Sequence, residues 1–350
     1  MATELQSQSA NERRTTLLST APLQRLAVGF WASNTLAAAV ELDMFTKLSG
    51  RGVDAQGLSR LLEIPARPAD MLLSACAALG LLEKRDGFYY SSPTAEEFLV
   101  RGRPYYFGNY VAMVHRRLYL PWSRLTEAVK TNKPQAWAGD TFEELAADPE
   151  AQRLFTEAMH SMSMFRAKAV FETFDLSPYS HLLDVGGASG AYCIEACRKY
   201  PRLRASIFDR PSALEIAREK IDGAALSERI KTVAGDFFKE ELPEGSDVAL
   251  LSQVLHDWSP ERNRVILGKC FAALPPGGLL LVCEVMMDDE KTGPELAALV
   301  SLNMLIATEG GCNYTWSEYA AWLEAAGFRE MRRAPVAATG GLGILVGRKP

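Results

Sequence analysis

Long apolar runs are missing from this 350-residue chain. No stretch approaches the roughly 20 residues that a helix needs to span a bilayer. The opening "MATELQSQSANERRTT" is polar and has no apolar core, so it does not read as a signal peptide. The six cysteines, at positions 76, 193, 197, 270, 283 and 312, form no Cys-x-x-Cys pair and lie scattered in apolar segments. That spacing argues against a zinc ribbon or a disulfide framework and points to buried free thiols in a reducing compartment. Basic residues are not in excess: the net charge is −5 and the isoelectric point about 5.6. A nucleic-acid backbone is therefore excluded as the main partner, since phosphate contacts need clustered Lys and Arg. Histidine is scarce, with four in the chain. No second histidine is placed to complete a two-histidine, one-carboxylate metal face with His256 and Asp257, so no metal is expected. The absences together describe a cytoplasmic protein without membrane or nucleic-acid partners.

Apolar residues make up 48% of the chain, enough for a full core, and the length allows two domains. The two halves differ in grammar. Residues 1–19 are expected to be disordered, and 20–174 to form a mainly helical unit. In that unit "PLQRLAVGFWASNTLAAAVELDMFTKLSG" carries apolar residues at helical spacing and stops at Gly50. Two short helices follow, "DAQGLSRLLEI" and "RPADMLLSACAALG". Then comes a hairpin around Asp86-Gly87. Helix, turn, helix and hairpin wing is the winged-helix order. The second helix, from Pro68 to Leu79, holds no Lys or Arg for DNA, so a structural, dimerising role is expected. The apolar "GFWASNTLAAAV" adds the expectation of a large subunit interface.

From residue 175 to 350, short apolar strands alternate with helical segments. This is an α/β fold, a doubly wound, Rossmann-like, mostly parallel seven-stranded sheet. The glycine-rich link "AATGGLG" makes the last strand antiparallel, at or near the sheet edge. Ser259-Pro260 and the Thr315/Glu318 pair read as helix starts. Ligands in such sheets sit at the carboxyl ends of the strands, where the strand order reverses. There, "LLDVGGASGAY" offers Gly186, Gly187 and Gly190 for a tight turn and close backbone approach. The dinucleotide fingerprint is broken, because Ala188 and Ser189 stand where glycines are needed. Asp209 ends the second strand and can accept both hydroxyls of a ribose. Asp236 ends the third and can accept from an adenine amine, with Phe237 against the ring. Acids at successive strand ends suit a ligand with hydroxyls, an amine and positive charge better than one with phosphates.

On these segments, "LLDVGGASG", "FDRP", "AGDFF", "LHDW" and "CEV", the chain resembles the class I S-adenosylmethionine-dependent methyltransferases. It is most similar to small-molecule O-methyltransferases of the caffeate/acetylserotonin type, which carry an N-terminal winged-helix dimerisation domain. The resemblance covers nearly everything past residue 20. It implies a homodimer, S-adenosyl-L-methionine as cofactor, and Gly186, Asp209, Asp236 and Phe237 around it. It further implies Trp258 near the adenine, Ser163 near the methionine end, and Ser252 at a position that is lysine in plant members. For the acceptor it implies Met159 and Met162 on the helix entering the second domain, and Asn303, Met304 and Thr308 beyond the fifth strand.

His256, in "SQVLHDWSP", sits at the end of the fourth strand, on the same rim. Loss of a phenol proton (pKa about 10) to an ordinary imidazole (about 6.5) costs about 4.8 kcal/mol, tolerable when the proton leaves as the new bond forms. Glu284 ends the neighbouring strand, where a carboxylate fixes the imidazole tautomer. The resemblance makes His256 the base and Glu284 its orienting partner, with Asp257 beside them. Where relatives carry a second acid, this chain has Asn313, which hydrogen-bonds but adds no charge. The expected activity is methyl transfer to a hydroxyl of a small aromatic metabolite. Carbon or nitrogen methylation, or a non-methylating reaction of the same fold, is the alternative within enzymes. A ligand-sensing winged-helix transcriptional regulator is the alternative from another class.

Overall fold

A computed structural model describes residues 18–137, 141–337 and 340–350. The segment expected to be disordered lies almost wholly outside the described residues. No helix among the described residues is long and apolar enough to cross a membrane.

The helical run read up to Gly50 is three helices, Ala21–Ala27, Gly29–Glu41 and Met44–Leu48. The second break falls at Asp43, whose backbone is left-handed with φ 54°. Helix Ala55–Leu62 starts on Asp54, whose side chain accepts from the Gly57 N–H at 2.6 Å. Helix Ala66–Ala78 begins two residues before the Pro68 read from sequence, so Arg67 joins its first turn. Strands β1 (Leu82–Arg85) and β2 (Phe88–Ser91) pair antiparallel across Asp86-Gly87, where both residues have positive φ. This is the twist that a two-residue hairpin needs. Met44, Phe45, Leu48, Leu58, Leu73 and Tyr89 close the core of this unit.

The second half is a sheet of β3 (His181–Val185), β4 (Arg204–Asp209), β5 (Ile230–Ala234), β6 (Val248–Ser252), β7 (Leu279–Val285), β8 (Arg329–Pro335) and β9 (Leu342–Arg348). Its spatial order is β5-β4-β3-β6-β7-β9-β8. β9 runs antiparallel to both neighbours and sits one strand in from the edge; β8 is the edge. The central strands are apolar on both faces because helices cover both. Leu182, Val248, Leu250, Leu279 and Leu281 pack on one side. Leu183, Ala249, Leu251, Leu280 and Val282 pack on the other. The edge strand reads "REMRRAP", with exposed arginines and a register shift between Arg329 and Arg332 that discourages pairing with another chain.

The strand order reverses between β3 and β6, so the sheet splays at their carboxyl ends. Helix Pro149–Thr173 crosses above this point. It starts on Asp148, whose carboxylate accepts from the Glu150 and Ala151 N–H groups, both at 3.0 Å. Its buried Met164, Ala167, Val170 and Phe171 fasten it to the sheet unit.

Leu281→Ala in the centre of the sheet is expected to cost about 2–5 kcal/mol. Arg332→Ala on the exposed edge should stay within about 0.5 kcal/mol. Chemical denaturation of both variants reads the difference, and equal costs would contradict the assigned core.

Candidate active site

A cavity of about 730 Å³ opens where the strand order reverses. Its floor is the strand ends, and its roof is one face of helix Pro149–Thr173. Met159, Met162, Ser163 and Arg166 follow a 3–4–7 spacing and all line it. Helix Glu295–Ala307 closes the far side with Asn303 and Met304, followed by Thr308. Asn303 Oδ1 also accepts from the Trp122 indole N–H at 2.9 Å.

At one end lies the glycine loop. Gly186 has φ +72°, and a Cβ there would stand 2.9 Å from Val254 and 3.7 Å from Phe237. Gly187 also lines the cavity, and a Cβ on it would run into the Asp184 carboxyl at 2.6 Å. Gly190, φ +74°, lies behind the loop against Ile207 and does not face the cavity; its role is the turn itself. Asp209 ties the loop to β4, accepting from the Ala188 N–H at 2.7 Å and the Arg210 N–H at 2.6 Å. Burial raises its carboxyl above the ordinary value, against those two bonds. At Asp236 burial is outweighed by the Phe238 N–H at 2.9 Å and by Lys239 at 3.2 Å, so its carboxyl sits below the usual value. Trp258 stands edge-on to Phe237 and Phe238, with ring centroids 6.0 and 4.8 Å away.

Several residues here escaped the sequence reading. Asp184, one strand residue before the loop, is buried, and that burial pushes its carboxyl up to about 7. His160 places Nδ1 3.0 Å from Ser189 Oγ and so reaches the loop from the roof helix. Burial, with Lys220 and Arg198 nearby, takes its imidazole down to about 3, so it stays neutral. Tyr192 lines the cavity with its hydroxyl buried, and Ser252 Oγ is buried as well. The two hydroxyls face each other. A tight glycine cradle, carboxylates at strand tips and buried hydroxyls on the wall fit S-adenosylmethionine: ribose hydroxyls, a flat base with an amine, a sulfonium, and an amino acid's ammonium and carboxylate.

The other end holds His256. β6 stops at Ser252, four residues short of it, and the imidazole rides on a single helical turn, Leu255–Asp257. The strand-end position read from sequence is thus corrected to a turn. Ser252 pairs with Cys283 across β6 and β7, so Glu284 falls beside the turn. One Glu284 oxygen accepts from the Val254 and Leu255 N–H groups, both at 3.0 Å. The other accepts from Gln253 Nε2 at 2.8 Å and stands 2.8 Å from His256 Nδ1. The ring N–H is not squarely aimed at that oxygen, so the contact is electrostatic first. Asp257 Oδ1 lies 3.5 Å from His256 Nε2. Burial opposes charge on the ring, but Glu284 and Asp257 outweigh it and raise the imidazolium to about 9. Burial also lifts Asp257, to about 6. The turn is braced from beneath by Asn263 Nδ2, which donates to the Leu255 carbonyl at 2.8 Å, and by Tyr314 Oη, which donates to that of Trp258 at 2.7 Å.

The expected residues that the cavity brings together are Met159, Met162, Ser163, Gly186, Gly187, Asp209, Asp236, Phe237, Ser252, His256, Asp257, Trp258, Asn303, Met304 and Thr308. Glu284 stands behind His256, fully buried. Asn313, expected at the acceptor, is outside the wall: its Nδ2 donates to the Ala297 carbonyl at 2.9 Å and its own N–H to Ser301 Oγ at 3.0 Å. Among the described residues no group of His, Cys, Asp and Glu could hold a metal ion.

The family model of the O-methyltransferase domain matches residues 122–329. That of the O-methyltransferase dimerisation domain matches residues 24–101. The chain is 43% identical to the 3-hydroxy-5-methyl-1-naphthoate 3-O-methyltransferase of Streptomyces sahachiroi, over 93% of this chain and 94% of that one. It is 35% identical to the tetracenomycin polyketide synthesis 8-O-methyl transferase of Streptomyces glaucescens, over 93% and 96%. Among solved structures, human N-acetylserotonin methyltransferase in complex with S-adenosylmethionine superposes with a TM-score of 0.85 at 30% identity, over 95% of this chain and 99% of that one.

Gly186→Val combines a forbidden backbone with a side chain driven into Val254 and Phe237. It should weaken S-adenosylhomocysteine binding by about tenfold or more, read by titration calorimetry, with circular dichroism unchanged. Unaltered affinity would remove the loop from the binding site.

Proposed function

Since the chain belongs to the S-adenosylmethionine-dependent O-methyltransferases and carries a dimerisation domain of that family, we propose that it methylates a hydroxyl of a small aromatic metabolite, with His256 as general base. The naphthoate and polyketide enzymes among its relatives support an aromatic acceptor. The observation that carries the reading is the buried imidazole on the cavity wall, 2.8 Å from a carboxylate that is itself fixed by the backbone.

Bound S-adenosylmethionine supplies an electrophilic methyl group on a positively charged sulfur. Asp209 and Asp236 hold its sugar and base end, with Phe237 and Trp258 beside the ring and the Gly186-Gly187 turn beneath. Ser163 and Ser252 serve the amino-acid end. Met159, Met162, Asn303, Met304 and Thr308 shape the acceptor space next to His256. In-line geometry supplies much of the acceleration. His256 Nε2 removes the hydroxyl proton, and Glu284 holds the ring by Nδ1. With the imidazolium raised to about 9, its proton affinity comes close to that of a phenol, and the mismatch shrinks. The ring is then largely protonated at neutral pH in the ligand-free protein. A cationic donor bound nearby opposes that charge and favours the neutral, basic form.

The division of labour follows the chain: residues 20–174 for dimerisation and 175–350 for catalysis. Exposed Leu23, Leu26, Phe30 and Trp31 near the N-terminal end form the apolar surface for a second copy. A single-chain mass in sedimentation at micromolar concentration would refute the homodimer. Six free cysteines, five of them buried, suit the cytoplasm.

His256→Ala should keep S-adenosylmethionine affinity and lower kcat by about a hundredfold or more; unchanged turnover would reduce His256 to packing. Glu284 raises the imidazole pKa, so Glu284→Gln should move the alkaline-rising limb of kcat/KM toward lower pH. A limb that stays in place would detach Glu284 from the base.

A further inference from the structure

Gln253 joins the base to the roof of the cavity, and its backbone takes a conformation that residues other than glycine seldom adopt. β6 ends at Ser252, but the Gln253 N–H still donates to the Cys283 carbonyl of β7 at 3.0 Å. Its own φ is then 56°, left-handed. A Cβ in that region crowds the following carbonyl, a cost that glycine escapes. The turn sends the next two N–H groups, of Val254 and Leu255, to one Glu284 oxygen. Glycine would make the same turn without the steric cost, so the side chain carries the reason for glutamine here.

That side chain uses both edges of its amide. Oε1 accepts from an Arg166 guanidinium nitrogen at 2.9 Å, and Nε2 donates to the second Glu284 oxygen at 2.8 Å. A guanidinium only donates and a carboxylate only accepts, so the partners fix which way the amide faces. No charged residue suits both: a carboxylate here would repel Glu284, and a cation would repel Arg166. The oxygen that Gln253 reaches is the one 2.8 Å from His256 Nδ1. It is thus shared between the amide and the ring. The charged groups acting on the ring come from three elements: Glu284 from β7, Asp257 from the ring's own turn and Arg166 from helix Pro149–Thr173. Helix Glu295–Ala307, packed against the same turn, brings Leu296, Val300, Asn303 and Met304 to the cavity, none of them charged. Tyr319 and Cys283, which feel Glu284, are held neutral by burial.

We propose that Gln253 is a positioning residue: it holds the second oxygen of Glu284 in place and divides that oxygen's charge with the His256 ring, so that the ring is oriented yet still releases its proton. This rests on His256 as the base and adds how the base is kept releasable. A carboxylate oxygen that already accepts a hydrogen bond attracts a neighbouring imidazolium less strongly. Without the amide, the imidazolium becomes the sole side-chain partner of that oxygen and holds its proton more tightly. The neutral form, which takes the hydroxyl proton, then becomes scarcer at neutral pH. Arg166 contributes by pinning the amide, which cannot turn its own oxygen toward Glu284.

Two variants test this: Gln253→Met, close in length but without the amide, and Gln253→Gly, which relieves the backbone and removes the side chain. On full-length protein loaded with S-adenosylhomocysteine, nitrogen-15 NMR of labelled histidine follows the ring titrations; the His256 signal is the one absent from His256→Ala. Both substitutions should raise the His256 pKa by about half a pH unit or more. In turnover, the alkaline-rising limb of kcat/KM should move to higher pH by the same amount, opposite to the move expected of Glu284→Gln. The rate should fall about threefold or more at neutral pH and return toward wild type above the limb. A ring that titrates as in the wild type or at lower pH, or a loss of rate that is the same at every pH, overturns the proposal. The NMR titration needs no catalysis. It therefore judges Gln253 separately from the base reading, which normal turnover by His256→Ala would refute.

Discussion

A carboxylate with no access to water must be surrounded by donors, or the chain does not fold around it. Glu284 meets that demand with two consecutive backbone N–H groups and the Gln253 amide, and the His256 ring stands against its second oxygen. The backbone bonds force the chain after β6 to turn at once, and Gln253 takes a left-handed conformation to allow it. The imidazole is thereby aimed at the cavity rather than along the strand. Everything chemical about the site depends on this arrangement. It depends in turn on the β6–β7 register, which the two-sided apolar packing of both strands locks.

Charge is sorted along the cavity. Carboxylates stand at the strand tips beneath the glycine loop, and two more, Glu284 and Asp257, flank the imidazole of His256. Burial alone does not explain the sorting, since it disfavours every charge. It is decisive for His160, which stays neutral while it holds Ser189, and for Asp184, which burial pushes up to about 7. At His256 two acids overcome it. Two histidines at the site are thus driven in opposite directions, His160 held neutral behind the loop and His256, on the cavity wall, raised toward its charged form.

Helix Pro149–Thr173 ties the two halves together. It is anchored by a proline and an aspartate cap at one end and by buried Phe171 at the other. Its cavity face carries Met159, Met162, Ser163 and Arg166, and it also contacts the preceding chain through Ser161, whose hydroxyl donates to the Tyr106 carbonyl. A shift of the N-terminal unit therefore moves the roof of the site. That is a physical reason for a dimerisation unit and a catalytic sheet to share one helix.

The sequence by itself determined the order of elements, the doubly wound sheet and the list of strand-tip residues. Those follow from local rules: period-two and period-3.6 apolar patterns, caps such as Thr315 with Glu318, and glycines where φ must be positive. It also singled out His256 and Glu284, because each reads as the end of an apolar strand. It did not reveal that the strand ends before His256, that Asn313 turns inward to the Ala297 carbonyl, or that His160 reaches Ser189. Nor did it single out Arg166 and Gln253, although the helical spacing from Met159 through Ser163 was a usable signal for the arginine. Each of these depends on a contact between segments far apart in the chain. Such contacts are decided by packing and by the need of buried polar groups for partners, which no local pattern encodes.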